Sequence, residues 1–219
     1  VAKGTVVVAV KVHDCHGNGA VSALLSAANW VVQDQHRRRG PAVVSLALGL
    51  VTDAVAIHLV LEQLSKAGLA VVVAAGAGGL AACPSPPLAY PNMLIVDMIN
   101  QKDERANPES HFGACTSLFA PGTKIVSASS RGDHSTAKMS GASIAAPFVA
   151  GALALLATEH PTASASDLTS WLLGNATSDR IDLQCDKADY WAQKGDCAKT
   201  PNRLLFATCG PAADAEPGP

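Results

Sequence analysis

The sequence predicts an α/β fold with a mostly parallel sheet between helices, and three observations carry that prediction. Apolar runs containing β-branched residues are continuous rather than alternating, as strands buried on both faces require. They are separated by stretches of helical period. With 219 residues and 48% hydrophobic content, the chain can bury one sizeable core, which favours a single domain.

In chain order, residues 5–12 read as a strand and 21–35 as a helix whose end, with His36 and Arg37 to Arg39, is a solvated basic cluster. Residues 42–46 read as a strand, and 53–66 as a helix stopped by Gly68. Further strands are expected at 69–75 and 94–98. Residues 100–134 are polar and turn-rich, with Phe119-Ala120-Pro121-Gly122 marking a tight corner before 125–128. Two helices follow, at 144–158 and 166–173, capped by the Ser143 region and by Ser164 or Ser166. Residues 178–200 are charged and irregular and contain two cysteines, as expected of an insertion held by a disulfide. The tail, 211–219, is Pro, Ala and acid, a composition expected to be disordered.

Composition narrows the function classes. A net charge of -2 and a pI near 6.4 give no electrostatic case for a nucleic-acid partner. Residues 69–75 and 148–157 stop well short of the roughly 18 apolar residues of a membrane span, so no membrane partner is expected. The chain starts at Val1 without an initiator Met and runs almost at once into a strand, so its beginning reads as cut. Six cysteines without C-x-x-C pairing fit separate disulfides in an oxidising, extracellular compartment. Asn175-Ala176-Thr177 is an N-glycosylation acceptor pattern and points the same way.

The run Ser140-Gly141-Ala142-Ser143-Ile144-Ala145-Ala146-Pro147 combines a nucleophile candidate with the start of a long apolar helix. Gly141 permits close backbone approach, and Ser143 would sit at a helix N-terminus, where free N–H groups and the dipole favour the negative charge of an acyl-transfer oxyanion. The alternative is structural: Ser143 as a simple N-cap, with Pro147 tolerated in the first turn. Other patterns carry less. Gly76-Ala77-Gly78-Gly79-Leu80-Ala81 mimics a dinucleotide-binding turn with Asp97 as the ribose acid, but Pro84, Pro86 and Pro87 break the helix that motif needs. His13, Cys15 and His16 could bind a metal or simply shape a turn, and Arg131-Gly132-Asp133 is adequately explained by chance.

Taken together, the ordered motifs resemble those of the subtilisin-like serine proteases, in particular the proteinase K and aqualysin branch. Val1 to Thr5 resembles the family's VAKGT, and Val8 to Gly19 its AVRVLDCNGSG. Ser45 to Gly49 resembles SLSLG, Val73 to Gly76 the start of VAAGN, His111 to Gly122 the NYGSCVDLFAPG segment, Ser140 to Pro147 the SGTSMAxP run, and Pro201 to Leu205 the end of SPNRLL. The resemblance implies a three-layer subtilisin-like fold over residues 1–210, N-terminally truncated. It implies that Ser143 is the nucleophile, that Ala47, Leu48 and Gly49 pair with substrate backbone, and that Gly17 and Gly19 lie in the opposite wall. Ala74, Ala75 and Gly76 match the floor of the primary specificity pocket. Cys83 and Cys115 match a disulfide pair of the aqualysin branch, while Cys15 matches a cysteine whose partner lies outside this sequence. Cys185 with Cys197 is the pairing expected across the insertion, leaving Cys209 over with Cys15.

Departures from the pattern set the functional expectation. The family's catalytic Asp and His lie upstream of VAKGT, and none of the seven histidines here has the H-G-T-H context. The oxyanion asparagine position is Ala77, whose methyl group donates no hydrogen bond. The family's calcium carboxylate, which works with backbone carbonyls near Pro91 and Met93, is replaced by Ser117, so no metal or other cofactor is expected. The sequence therefore predicts a secreted, monomeric serine endopeptidase homologue acting on peptide or protein, with this chain itself inactive. The alternative is a catalytically dead homologue that binds peptides through the retained cleft.

Overall fold

The computed structural model describes residues 1–38, 40–48, 54–76, 92–106, 110–187 and 194–207. Its elements run α1 (Val21–Arg38), β1 (Val43–Leu46), α2 (Ala54–Lys66), β2 (Ala70–Ala74), β3 (Met93–Ile99), β4 (Leu118–Pro121), β5 (Ile125–Ala128), β6 (Thr136–Met139), α3 (Ala142–Glu159), α4 (Ala165–Gly174), β7 (Thr177–Ser178) and β8 (Arg203–Leu204). A short helix, Lys194–Cys197, lies between the last two strands. The sheet order is β1-β2-β3-β4-β8-β7. Strands β1 to β4 pair in parallel, as do β4 and β8, and only β7 pairs antiparallel to β8. The mostly parallel sheet between helices that the sequence predicts is present.

Continuous apolar strands are what such a sheet needs, because each strand feeds two cores. Along β2, Ala70, Val72 and Ala74 face one cluster with α3 and α4, while Val71 and Val73 face a second with α1 and α2. The first cluster packs Leu94, Val96, Met98 and Leu118 against Ala145, Ala146, Val149 and Leu153 of α3. Small residues on α3 let its backbone lie close to the sheet. The second sets Val60, Leu61 and Leu64 of α2 against Met93 and Ile95. Asn92 joins the layers: its buried amide donates to the carbonyls of Ser65 (3.0 Å) and Leu69 (2.7 Å), fixing the end of α2 to the start of β2.

Several expectations need correction. Residues 5–12 join no ladder among the described residues, and Val6 and Val7 are 78% and 87% exposed. β-branched composition favours a pleated conformation, but a strand exists only where a neighbour takes its hydrogen bonds. The polar stretch after Asn100 holds more structure than its composition suggests: β4, which extends the sheet core, and the antiparallel pair β5 and β6. Helix α3 is longer than expected, and at 18 residues with mean hydropathy 1.6 it is long and apolar enough to cross a membrane by length and composition. Here its inner face is buried against the sheet. The tail 211–219 lies outside the described residues. In the expected insertion, Cys185 and Cys197 form a disulfide with the sulfurs 2.08 Å apart. That segment is nonetheless tied to the core, since Ile181 packs with Ile99 and Phe119.

Candidate active site

The serine run is positioned by the corner after β4. Gly122 accepts a 2.9 Å hydrogen bond from the Gly141 amide on its carbonyl, and the Lys124 amide donates to Ser140 Oγ at 2.9 Å. A side chain at Gly122 would collide with Met98 Cβ and meet the Gly141 carbonyl at 2.9 Å, so the two backbones can approach only because position 122 is glycine. Gly141 has φ 150° and is the N-cap of α3, with no side-chain cap. Ser143 therefore lies inside the first turn, not at the N-cap. Its Oγ is 3.2 Å from where a Cβ on Gly141 would be, which leaves the hydroxyl beside open glycine backbone. Pro147 is one turn further in than expected, inside the helix. Its missing N–H is the one that would have bonded to the Ser143 carbonyl.

The neighbouring pocket residues follow β2. Ala74 ends the strand, the Ala75 amide donates to the Val96 carbonyl at 2.8 Å, and Gly76 turns away with φ 102°. Beneath Gly76 lies His111, whose Nε2 would be 2.9 Å from any Cβ there. Nothing in the sequence pattern singles out this imidazole beyond its standing at the asparagine of the NYGSC-like segment. Ala47 and Leu48 continue β1 half-buried, whereas Gly49 and Ala77 lie outside the described residues. Gly17, φ 85°, and Gly19 shape a turn closed by Asp14, whose Oδ1 accepts from the amides of His16 (2.8 Å) and Asn18 (2.9 Å). Those amides, Asn18 foremost, hold the Asp14 carboxyl below its ordinary range. The turn explains His13 and His16 without a metal, and His13 packs against Gly19.

Among the described residues, no acid or imidazole hydrogen-bonds the Ser143 hydroxyl. His111 is under Gly76, His16 lies 3.8 Å from Asp14, and His160 meets the Trp171 ring edge-on at 4.7 Å. Ser117 does not fit a calcium ligand. Its Oγ accepts from the Ile95 amide at 2.9 Å while its own amide donates to the Ile95 carbonyl at 2.8 Å, so the hydroxyl serves the sheet. Cys115 is disulfide-bonded, while its expected partner Cys83 lies outside the described residues, as does Cys209. Cys15 is a free, exposed thiol. Asn175 caps the end of α4, exposed, with its Nδ2 donating to the Trp171 carbonyl at 2.8 Å.

Asp97 is no ribose ligand. It is fully buried within β3, its Oδ1 accepts from the Met98 amide at 2.7 Å, and among the described residues its Oδ2 has no hydrogen-bond partner. Burial pushes its carboxyl up to about 7, against the opposing pull of the Met98 amide, Ser110 and the Arg105 guanidinium. Arg105, itself buried, donates to the carbonyls of Leu183 and Ser110, both at 2.8 Å, and lies 5.3 Å over the Phe112 ring.

The description that matches this chain is Subtilase family, over residues 1–199. The chain belongs to the subtilase family. An extracellular serine proteinase of Thermus sp. (strain Rt41A) is 37% identical over 177 residues, covering 81% of this chain and 42% of that protein. Alkaline serine exoprotease A of Vibrio alginolyticus is 30% identical over 181 residues, covering 83% and 33%. Proprotein convertase subtilisin/kexin type 9 of Mus musculus is 33% identical over 217 residues, covering 96% and 30%. The crystal structure of a cold-adapted subtilisin-like serine proteinase superposes with TM-score 0.75 at 29% identity, covering 90% of this chain and 65% of that one. The chain thus spans less than half the length of these three relatives, and its subtilisin-like fold is shared with a solved member.

Proposed function

We propose that this subtilase chain is the nucleophile-bearing part of a secreted serine endopeptidase, and that residues 1–219 alone do not turn over peptides. The observation that carries the reading is Ser143 in the first turn of α3, held by the Gly122–Gly141 contact. Its Oγ would attack a peptide carbonyl to give an acyl-enzyme, with the helix N-terminus favouring the developing oxyanion. A peptide would lie between Ala47-Leu48-Gly49 and the Gly17–Gly19 turn, by strand addition. Its side chain would enter toward Ala74, Ala75 and Gly76, where the imidazole of His111 limits the depth. The substrate is peptide or protein and the acting unit a monomer, with no nucleic-acid, membrane or metal partner. Relatives named as extracellular proteinase and exoprotease support secretion.

Inactivity of the isolated chain follows from the missing base. A serine hydroxyl without a hydrogen-bonded imidazole is a poor nucleophile, and loss of a triad member lowers turnover by roughly 10⁴ to 10⁶. Ala77 in place of an oxyanion donor removes roughly a further 10² to 10³. That second loss favours the alternative, a dead homologue that binds peptides through the cleft.

Fluorophosphonate labelling tests both readings. Residues 1–219 should label no faster than the Ser143→Ala variant and should not hydrolyse a peptide library; cleavage that Ser143→Ala abolishes overturns the predicted inactivity. The longest natural polypeptide containing these residues should label at Ser143 if the protease reading holds, and should stay unlabelled if the cleft is dead.

A further inference from the structure

At the end of α3 opposite Ser143, a cavity of about 280 Å³ lies between α3, α4 and the chain leaving β8. Buried Leu172 lines its inner side, and Glu159, His160, Trp171, Asn175 and Phe206 line the rest. The local fold explains the arrangement. Helix α4 ends at Asn175, and β7 begins two residues later and pairs antiparallel with β8, so the residues after β8 return past the end of α4. Trp171 and Phe206 thereby share one cavity while staying 41% and 51% exposed. The His160 ring meets the indole edge-on, with centroids 4.7 Å apart, and steadies it from one side. Two large apolar rings left at the surface around one cavity mark a binding surface.

Asn175 says what the surface binds. It opens the acceptor triplet Asn175-Ala176-Thr177, and both Asn175 and Thr177 are exposed. It follows Trp171 at i, i+4, on the same side of the helix, and lines the same cavity. The Trp171 carbonyl accepts from the Asn175 amide at 3.0 Å and from Asn175 Nδ2 at 2.8 Å. Nδ2 carries two hydrogens, so when one is exchanged for a sugar the other can keep this bond. A sugar attached there starts at the cavity. The volume equals that of about nine water molecules in the liquid, which is the scale of one N-acetylated hexose. A hexose presents a face of polarised C–H groups, which the negative face of an aromatic ring attracts. Its hydroxyls would meet the exposed Glu159 carboxylate and His160 imidazole.

We propose that Asn175 carries an N-linked glycan and that this cavity seats its first, N-acetylated sugar, stacked on Trp171. In the attachment, Asn175 Nδ2 forms a bond to C1 of the oligosaccharide of a lipid-linked pyrophosphate donor. The C1–O bond breaks, its electron pair leaves on the pyrophosphate, and Nδ2 releases one proton. The inference rests on the secretory route of the proposed function and not on its serine chemistry.

Residues 1–219 made in yeast cells behind a supplied secretion leader test the site whatever the natural route, so its failure leaves the protease reading standing. Mass spectrometry should find the glycan on Asn175 in the parent and in Thr177→Ser, and none in Thr177→Ala. An endoglycosidase then trims the parent to one sugar, and tunicamycin, which blocks synthesis of the lipid-linked donor, yields the same chain without sugar. The one-sugar form should melt with the fully glycosylated form, and the sugar-free chain about 2 to 4 °C lower. With Trp30 and Trp191 replaced by phenylalanine, acrylamide should quench Trp171 about twofold less in the one-sugar form, because the sugar covers one face of a ring that is 41% exposed. The melting comparison stands even if that double replacement does not fold. An unmodified Asn175, or equal melting or equal quenching of the one-sugar and sugar-free chains, would each overturn the proposal.

Discussion

Replacing Asp97 by asparagine should flatten the pH dependence of folding stability. The Asp97 carboxyl is raised from 3.8 to about 7 by burial in β3. A raised carboxyl keeps its proton in the folded chain at pH values where the unfolded chain has already released it, so its contribution to stability falls as pH rises between about 4 and 7. With about 1.4 kcal/mol per pH unit, and allowing for partial titration at each end, the loss between pH 5 and pH 8 is about 2.5 kcal/mol. The replacement amide would keep an oxygen for the Met98 N–H and carry no charge to neutralise. Urea titrations of both proteins at pH 5 and pH 8 measure the effect, because other groups cancel in the difference. Asp97→Asn should gain about 2.5 kcal/mol on the parent between the two pH values, or about 5 to 10 °C in Tm. Parallel pH profiles for the two proteins would show that Arg105 stabilises an ionised Asp97, and would refute the reasoning.

Two further outcomes concern the C-terminal part of the chain. Ser164 caps α4 in a reciprocal box with Asp167, its Oγ accepting from the Asp167 amide at 3.1 Å. Ser164→Ala should cost about 1 kcal/mol in chemical denaturation, and Ser164→Asn should recover most of it. The disulfide between Cys185 and Cys197, 12 residues apart, closes a loop whose constraint on the unfolded chain is worth about 3 kcal/mol. Replacing both by serine should lower the urea midpoint accordingly, and an unchanged midpoint would mean that Ile181 packing and the Asn202 side chain, which accepts from the Ile181 amide at 3.0 Å and donates to its carbonyl at 2.7 Å, hold the segment.

The layered architecture is legible because it is written in period and composition: β2 is an unbroken apolar run, β3 one interrupted only by Asp97, and α1 and α2 begin and end within three residues of where the pattern places them. Strands β4 and β6 escape a reading by pattern because each is four residues long and lies among prolines, glycines and hydroxyls. The 5–12 stretch fails for the opposite reason, since its composition is that of a strand and the deficit is a missing neighbour. Ser143 is found through its motif, yet only the Gly122–Gly141 contact, between segments well apart in sequence, distinguishes a helix-embedded serine from a cap. Arg105 and Asp97 cannot be paired in advance, because nothing local indicates that a charged residue in a turn-rich segment folds inward under the sheet. His111 leaves a trace only as an unexpected ring where the resembling segment has an asparagine.

Pro147 divides α3 into two unequal parts. The hydrogen-bond ladder lacks its rung from residue 147 to residue 143, while the Gly141 carbonyl accepts from Ile144 at 2.9 Å and Ala145 at 3.2 Å. Ala142, Ala145 and Ala146 of the first part are buried in the same core cluster as Val149, Ala152 and Leu153 of the second. The serine therefore stands at a carbonyl that the helical ladder does not use, on a turn that Ala145 and Ala146 anchor to the sheet.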